Sequence, residues 1–487
     1  MSTAKNNIVS HTSIYMFGDI LRRGVSLIML PIYTRYLTPA DYGVVELLSM
    51  LLDVAAIIFS ARAGQAVFRF YCTAKTDDHK KGVIASALFL SAAMGGLGAL
   101  AVIIFSGPLA ISVFSDVGYK TFISLFAITL FLGPLIDIPL IHIRAQQKPW
   151  LFLFFSLAKL TLQLSLNIYF VVFLELHVEG VIYSAVISGI IMAAVLTGYS
   201  LSKTGFKATT AITRTLFSFS LPLKIAALGS FYMTFGDRYI LNIYTDLTQV
   251  GIYSLGYKFG FVLLLLTWDP FQKMWDAEKY EIFKNDDARH IYQKVFIYIS
   301  SILIFIGLCI SLFTKDLLRV MADPSFLDAY KIVPIIVVAY IFQAWTRYCN
   351  MGILLKNKTM QIAYGEMVGV IVITMAYFTL IPLYGIYGAA WSTVAGFAAR
   401  FYWINMRSTQ LYNMELPWER ISQAASLATI TYLLSMLSPE DIFPSMLFRS
   451  SLLIAFIAVF FMMPILSSNE KNEIWGKIRS LQNARGT

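Results

Sequence analysis

Charged side chains lie inside segments apolar enough to sit in lipid, and fifteen of them are the residues that could do chemistry: Asp19, Arg22, Arg23, Glu46, Asp53, Arg62, Asp137, Lys159, Asp237, Arg238, Lys258, Asp269, Arg347, Glu366 and Arg400. A charge at the bilayer centre costs at least ~2.5 kcal/mol, so it faces a cavity or a partner. The densest group is in "GDILRRGVSLIML" (18–30), where Asp19, Arg22 and Arg23 stand at i, i+3 and i+4 and can pair along one helix face. One carboxylate neutralises one guanidinium. The other arginine needs a second acid, such as Asp53 or Glu46 on the next segment, or an anionic ligand. Arg62, Arg347 and Arg400 have no acid at helical spacing in their own segments. A guanidinium fork grips phosphate oxygens bidentately, so converging arginines would make an oxyanion site. Interhelical ion pairs are the competing use. The ligand reading is preferred for Arg22, Arg23 and Arg62; for Arg347 and Arg400 both readings stay open.

Asp237 and Arg238 are neighbours, so on a helix they should point in different directions. Asp237 is read as a charge partner for Lys258 on the following segment, or as a contact near the outer face. Asp269-Pro270 should break its helix, because proline lacks the N–H and crowds the preceding turn. Cys72, Cys309 and Cys349 show no C-x-x-C spacing, and the five histidines have no ligand spacing. No metal site or cofactor is expected. Gly256-x-x-x-Gly260 and Gly95-Gly96-x-Gly98 read as helix-packing signals rather than phosphate loops.

The elements that must position these charges are membrane helices. The 487 residues are 58% hydrophobic and 14% charged, with mean hydropathy +0.69; soluble domains carry about a quarter charged residues. Apolar runs long enough for a bilayer of ~30 Å recur from residue 10 to residue 466. Fourteen are predicted, near 10–33, 42–65, 83–106, 120–143, 151–174, 178–201, 218–243, 250–272, 292–314, 329–355, 359–381, 385–407, 420–437 and 444–466. With the N-terminus inside, inner segments hold 24 Lys and Arg and outer loops hold 5 of the 38. The positive-inside rule then puts both termini in the cytoplasm, which an even span number requires. The net charge of +10 is assigned to these loops and to anionic membrane lipids, not to nucleic acid. The first run has no small-residue cleavage site and is read as an uncleaved span.

The chain repeats itself. A shift of 211 residues places Gly18 on Gly229, Leu30 on Leu241 and the tripeptide "IYT" (32–34) on its second copy (243–245). Shifts of 210 and 205 align Lys148 with Lys358 and Gly180 with Gly385. The predicted architecture is all-α: an N-lobe of helices 1–6 (1–210), a C-lobe of helices 7–12 (211–410), helices 13–14 (411–466), and a cytoplasmic tail (467–487), amphipathic or disordered. Two parallel repeats put the substrate site at their interface.

The stretches "LPIYTRYLTPADYG" (30–43), "VFRFY" (67–71) and "SLPLKIAALGSFYMTFGDRYILNIYTDLTQVGIYSLGYKFG" (220–260) resemble the polysaccharide-biosynthesis, or O-antigen repeat-unit, flippases of the multidrug/oligosaccharidyl-lipid/polysaccharide exporter superfamily. That resemblance implies a transporter, not an enzyme. It implies a multi-pass protein of the bacterial inner membrane that moves a polyprenyl-diphosphate-linked oligosaccharide outward by alternating access. The pathway would be surface polysaccharide or lipopolysaccharide synthesis, with a polysaccharide polymerase among candidate partners. Arg22, Arg23, Arg62, Arg347 and Arg400 would hold the anionic head group. Asp19, Asp53, Asp237 and Lys258 would serve as charge partners or in coupling to a proton or sodium gradient. The alternatives are a drug/cation antiporter of the same superfamily, which would be expected to have twelve spans and an acidic cleft, and a membrane polymerase or glycosyltransferase. The enzyme would need a long outer loop or a nucleotide-sugar domain, and neither is visible.

Overall fold

The helix boundaries follow from a few local rules. Thr38 and Asp41 cap each other: the Thr38 hydroxyl donates to Asp41 Oδ2 at 2.8 Å, and the Asp41 N–H donates to Thr38 Oγ1 at 3.1 Å. Proline at the first helical turn opens the helices that start at Pro39 and Pro149, where a missing N–H costs nothing. Thr76 caps the next start by accepting from the His79 N–H at 3.3 Å. Outside the apolar segments, Ser325 donates its N–H and hydroxyl to Asp323 Oδ1 at 2.9 and 2.6 Å, which holds that carboxyl below its usual range.

The computed structural model describes residues 29–59, 63–467 and 470–471. All regular elements among them are helical, with no strand. The chain separates into two compact units, 1–254 and 255–487. The first holds α1 (Leu30–Tyr36), α2 (Pro39–Phe59), α3 (Ala63–Thr73), α4 (Asp77–Ile104), α5 (Ser106–Phe114), α6 (Lys120–Ala145), α7 (Pro149–Asn167), α8 (His177–Thr204) and α9 (Thr210–Tyr244). The division falls within α10 (Leu247–Leu263). The second unit continues with α11 (Asp269–Ile282), α12 (Ala288–Met321), α13 (Val333–Cys349), α14 (Met351–Leu355), α15 (Met360–Leu411), α16 (Trp418–Ser435) and α17 (Ile442–Met462). The repeat places a lobe boundary at 210/211; that boundary rests on sequence repetition, whereas the units rest on contact density.

Nine helices among the described residues are long and apolar enough to cross a membrane, and the bent pair Pro324–Lys331 and Val333–Leu355 makes a tenth. The chain is a multi-pass membrane protein. One of the nine, α15, covers two predicted spans, because its 52 residues bend at Gly385. The predicted spans at 218–243 and 420–437 are helical, as α9 and α16, but stand outside that set. α16 carries Glu419, Arg420 and Gln423 within its first six residues. Most of the span at 10–33 and most of the tail lie outside the described residues, so the count of fourteen remains an expectation.

Of two expectations about α10 and α11, one needs correction and one holds. Asp269-Pro270 does not break the helix. A π-helical turn, Leu264–Trp268, precedes it, and Asp269 then opens α11 with proline in its first turn. Widening the turn accommodates the carbonyl that the proline ring would otherwise strike. Gly256 and Gly260 do mark a packing face. A Cβ on Gly256 would collide with the Ala329 carbonyl oxygen, and one on Gly260 would press on Ile336.

Within the first unit, α2 and α10 meet backbone to backbone. A Cβ on Gly43 would collide with the Leu247 carbonyl oxygen, and a Cβ on Gly251 with the Pro39 carbonyl oxygen. The contact is reciprocal, since Pro39 and Leu247 are the first residues of their helices. Each helix follows a copy of "IYT", and in both copies the threonine hydroxyl donates one turn back at 2.7 Å, Thr34 to Leu30 and Thr245 to Leu241.

Arg449, near one end of the predicted span at 444–466, is buried rather than extended toward the membrane surface. It donates to Asp316 Oδ2 at 2.6 Å, to the Leu312 carbonyl at 2.8 Å and to Ser438 Oγ at 3.1 Å, which ties α17 to α12. Asp316 also accepts from Ser445 Oγ at 3.2 Å. Removing one member strands a buried charge, at about 3–5 kcal/mol, whereas an apolar pair is tolerated far better. Arg449→Met or Asp316→Leu alone should therefore lower the unfolding temperature in detergent by several degrees. The double variant should recover most of that loss; if it unfolds lower than either single variant, this view of the pair is wrong.

Candidate functional site

Two arms of one bent helix set up the site. α15 turns at Gly385, whose φ of +53° suits glycine, three residues after Pro382. The arms then pack antiparallel at glycines: a Cβ on Gly388 would strike Leu380, one on Gly396 would strike Ile373, and one on Gly365 would strike Ile404. Small residues let the backbones approach. The same alignment levels Glu366 with Arg400, 34 residues apart, and Arg400 Nη1 donates to Glu366 Oε1 at 2.9 Å. Arg400 is buried, and its guanidinium lies 5.3 Å from the Phe397 ring centre.

Arg347 comes from α13. Its Nη1 lies 3.3 Å from Gln272 Oε1 and 3.9 Å from Asp269 Oδ1. Gln272 is held in turn by Trp268, whose Nε1–H donates to the same oxygen at 2.8 Å. The charges of Asp269, Arg400 and Glu366 all act on Arg347. Two guanidiniums and two carboxylates from four helical segments of the second unit thus share one neighbourhood. They are held unequally. Arg400 is tightly paired and 8% exposed at its side chain, whereas Arg347 is loosely paired and 37% exposed. A balanced cluster takes an anion only if an arginine trades a carboxylate for a ligand oxygen, and Arg347 has less to give up.

The other predicted residues lie elsewhere. Asp19, Arg22, Arg23 and Arg62 fall outside the described residues. Asp53 is exposed on α2, with Glu46 two turns before it, and Lys258 is half-buried on α10. Asp237 and Arg238 do not diverge as predicted. Arg238 curls back to Asp237 Oδ1 at 2.7 Å, donates to the Thr234 carbonyl at 3.0 Å, and stacks 4.9 Å from the Phe235 ring. Tyr253 donates its hydroxyl to Asp237 Oδ2 at 2.5 Å. That buried group ties α9 to α10.

Sequence reasoning named Glu366 among the membrane charges but gave it no role, and it passed over Gln272. A usable signal was present. Arg347, Glu366 and Arg400 stand eight, seven and seven residues from the inner ends of the predicted spans at 329–355, 359–381 and 385–407. At 1.5 Å per residue that is one depth, about 10–12 Å.

Among known sequences, a profile of the polysaccharide biosynthesis protein family matches residues 8–272. No curated protein matches the chain. Among solved structures, the chain is similar to the lipid II flippase MurJ in an inward closed conformation, with TM-score 0.66 and 13% identity over 93% of this chain and 99% of that one. It is similar to a multidrug resistance MATE family transporter of the MOP superfamily in an inward-facing conformation, with TM-score 0.65 and 14% identity over 80% and 95%. It is also similar to the Vibrio cholerae MATE transporter VcmN in its bent form, with TM-score 0.53 and 12% identity over 85% and 100%. At these identities the likeness is one of fold. Arg347, Glu366 and Arg400 lie beyond the segment that the family profile matches.

Proposed function

We propose a function that proceeds from one premise: the chain belongs to the polysaccharide biosynthesis protein family. It is a flippase that carries a polyprenyl-diphosphate-linked oligosaccharide repeat unit across the bacterial inner membrane by alternating access, for surface polysaccharide or lipopolysaccharide assembly. Its two lobes are 1–210 and 211–410, both termini are cytoplasmic, and a proton or sodium gradient is the candidate energy source. The observation that carries the reading is Arg347: a loosely held guanidinium beside a second arginine, on a helix that carries no other charge. Phosphate is the ligand such a fork suits, and the predicted inner depth suits a head group entering from the cytoplasm. Arg22 and Arg23 are assigned the same task in the N-lobe. The shared fold with a lipid II flippase supports this reading.

Drug/cation antiport draws on the same fold likeness to MATE transporters. It suits this cluster less, because each of its two carboxylates already faces an arginine. A deletion strain tests the proposal. It should lose surface polysaccharide and accumulate the lipid-linked repeat unit on the inner face. A strain that does neither rejects the function.

A further inference from the structure

The Arg400–Glu366 pair differs from the structural pairs of Arg238 and Arg449, whose Nε is unmet as well, in that a carboxylate oxygen is also left unmet. Only one N–H···O contact joins Arg400 to Glu366. Arg400 Nε and Glu366 Oε2 are both buried and find no hydrogen-bond partner among the described residues. A structural ion pair in lipid gains from the two-bond fork arrangement, because each unmet polar atom in a low-dielectric setting is costly. Two more buried atoms have no such partner: Gln343 Oε1, one turn outward of Arg347 on α13, and Trp403 Nε1, one turn inward of Arg400 on its arm, so that they flank the level of the pair from either side. The set comprises two donors, Arg400 Nε–H and Trp403 Nε1–H, and two acceptors, Glu366 Oε2 and Gln343 Oε1.

A bare phosphate or diphosphate would satisfy the donors and repel Glu366. A neutral sugar would satisfy the acceptors and gain little from a guanidinium. A glycosyl phosphate does both, because its phosphate oxygens accept while the hydroxyls or the amide N–H of its first sugar donate. We infer that Glu366, Arg400, Gln343 and Trp403 form a subsite for the sugar–phosphate junction of the substrate, beside the head-group arginine Arg347. Arg400 Nε–H donates to a phosphate oxygen, and Glu366 Oε2 accepts from the first sugar. The inference rests on the flippase reading and narrows it: the subsite distinguishes a glycosylated diphosphate lipid from the bare carrier that returns after the sugar is removed.

The test uses the full-length protein in lipid nanodiscs and three probes: a short polyprenyl diphosphate, the same diphosphate bearing one N-acetylhexosamine, and the uncharged polyprenol. The glycosylated diphosphate should bind at least about tenfold tighter than the bare one, the size expected of a hydrogen bond to a charged group. Glu366→Gln should bring that ratio within about twofold. Trp403→Phe, which keeps the ring and removes the donor, should reduce it several-fold and supplies the answer if Glu366→Gln does not fold. Equal binding of the two diphosphates by the unaltered protein, as when only water meets these atoms, overturns the subsite and leaves the head-group reading standing. A ratio unchanged in both variants also overturns it. Binding no tighter than the polyprenol for either diphosphate defeats the flippase reading and the subsite together.

Discussion

Arg347→Ala should abolish surface polysaccharide while leaving the protein at normal abundance in the membrane. The two halves of that expectation have separate causes. Arg347 is more than a third exposed, and its partners Gln272 and Asp269 lie at 3.3 and 3.9 Å, so truncation strands little. Its loss should cost a diphosphate a charge-assisted fork, roughly 1.5–3 kcal/mol or more, a ten- to hundredfold drop in affinity. Arg347→Lys should recover only part of the export, since an ammonium replaces a planar fork with a point charge. Arg400→Ala should behave differently. It leaves the half-buried Glu366, whose Oε2 is covered, without its close cation, at up to about 3–5 kcal/mol, and should reduce abundance as well as export. Immunoblots of membranes alongside surface glycan staining separate the cases. Normal glycan in Arg347→Ala would remove that residue from the site.

The second large effect is expected at the reciprocal glycine contact. Gly251→Leu or Gly43→Leu should eliminate export, and Gly251→Ala should already destabilise by about 1–3 kcal/mol. The obstacle is a carbonyl oxygen of the opposing helix, Pro39 for Gly251 and Leu247 for Gly43, and backbone cannot rotate aside as a side chain can. Gly229→Ala is the matched control, since a Cβ there meets nothing within 4 Å. Thermal unfolding in detergent and glycan export are the two readouts. If Gly251→Ala and Gly229→Ala behave alike, α2 and α10 do not depend on that approach.

The helices were legible because lipid imposes one rule, an apolar run of spanning length, and turn residues punctuate it. The glycine packing signals were legible for the same local reason. Long-range pairing was not. Glu366 and Arg400 meet because a hairpin levels them, and Arg449 meets Asp316 across 133 residues; no periodicity within one span records either contact. The Asp237–Arg238 reading failed for another reason. Adjacent Cβ atoms do diverge on a helix, but a guanidinium on a long stem can fold back over its own turn, and the Phe235 and Tyr253 rings give it a surface to lie on.

The π-helical turn at Leu264–Trp268 has a consequence for the site beyond admitting Pro270. Such a turn holds one residue more than an α-helical turn, so side chains on either side of it are out of phase by about 100°. The extra residue therefore returns Trp268 and Gln272 to the face that α10 presents through Gly256 and Gly260, and Ile336 and Arg347 of the same helix, α13, meet it there. The widened turn, and not the regular helix alone, sets the angular position of the groups holding Arg347. Sliding that extra residue along the chain would turn Asp269 and Gln272 away from Arg347 without moving the helix axis, and deleting it would fix them in a different orientation.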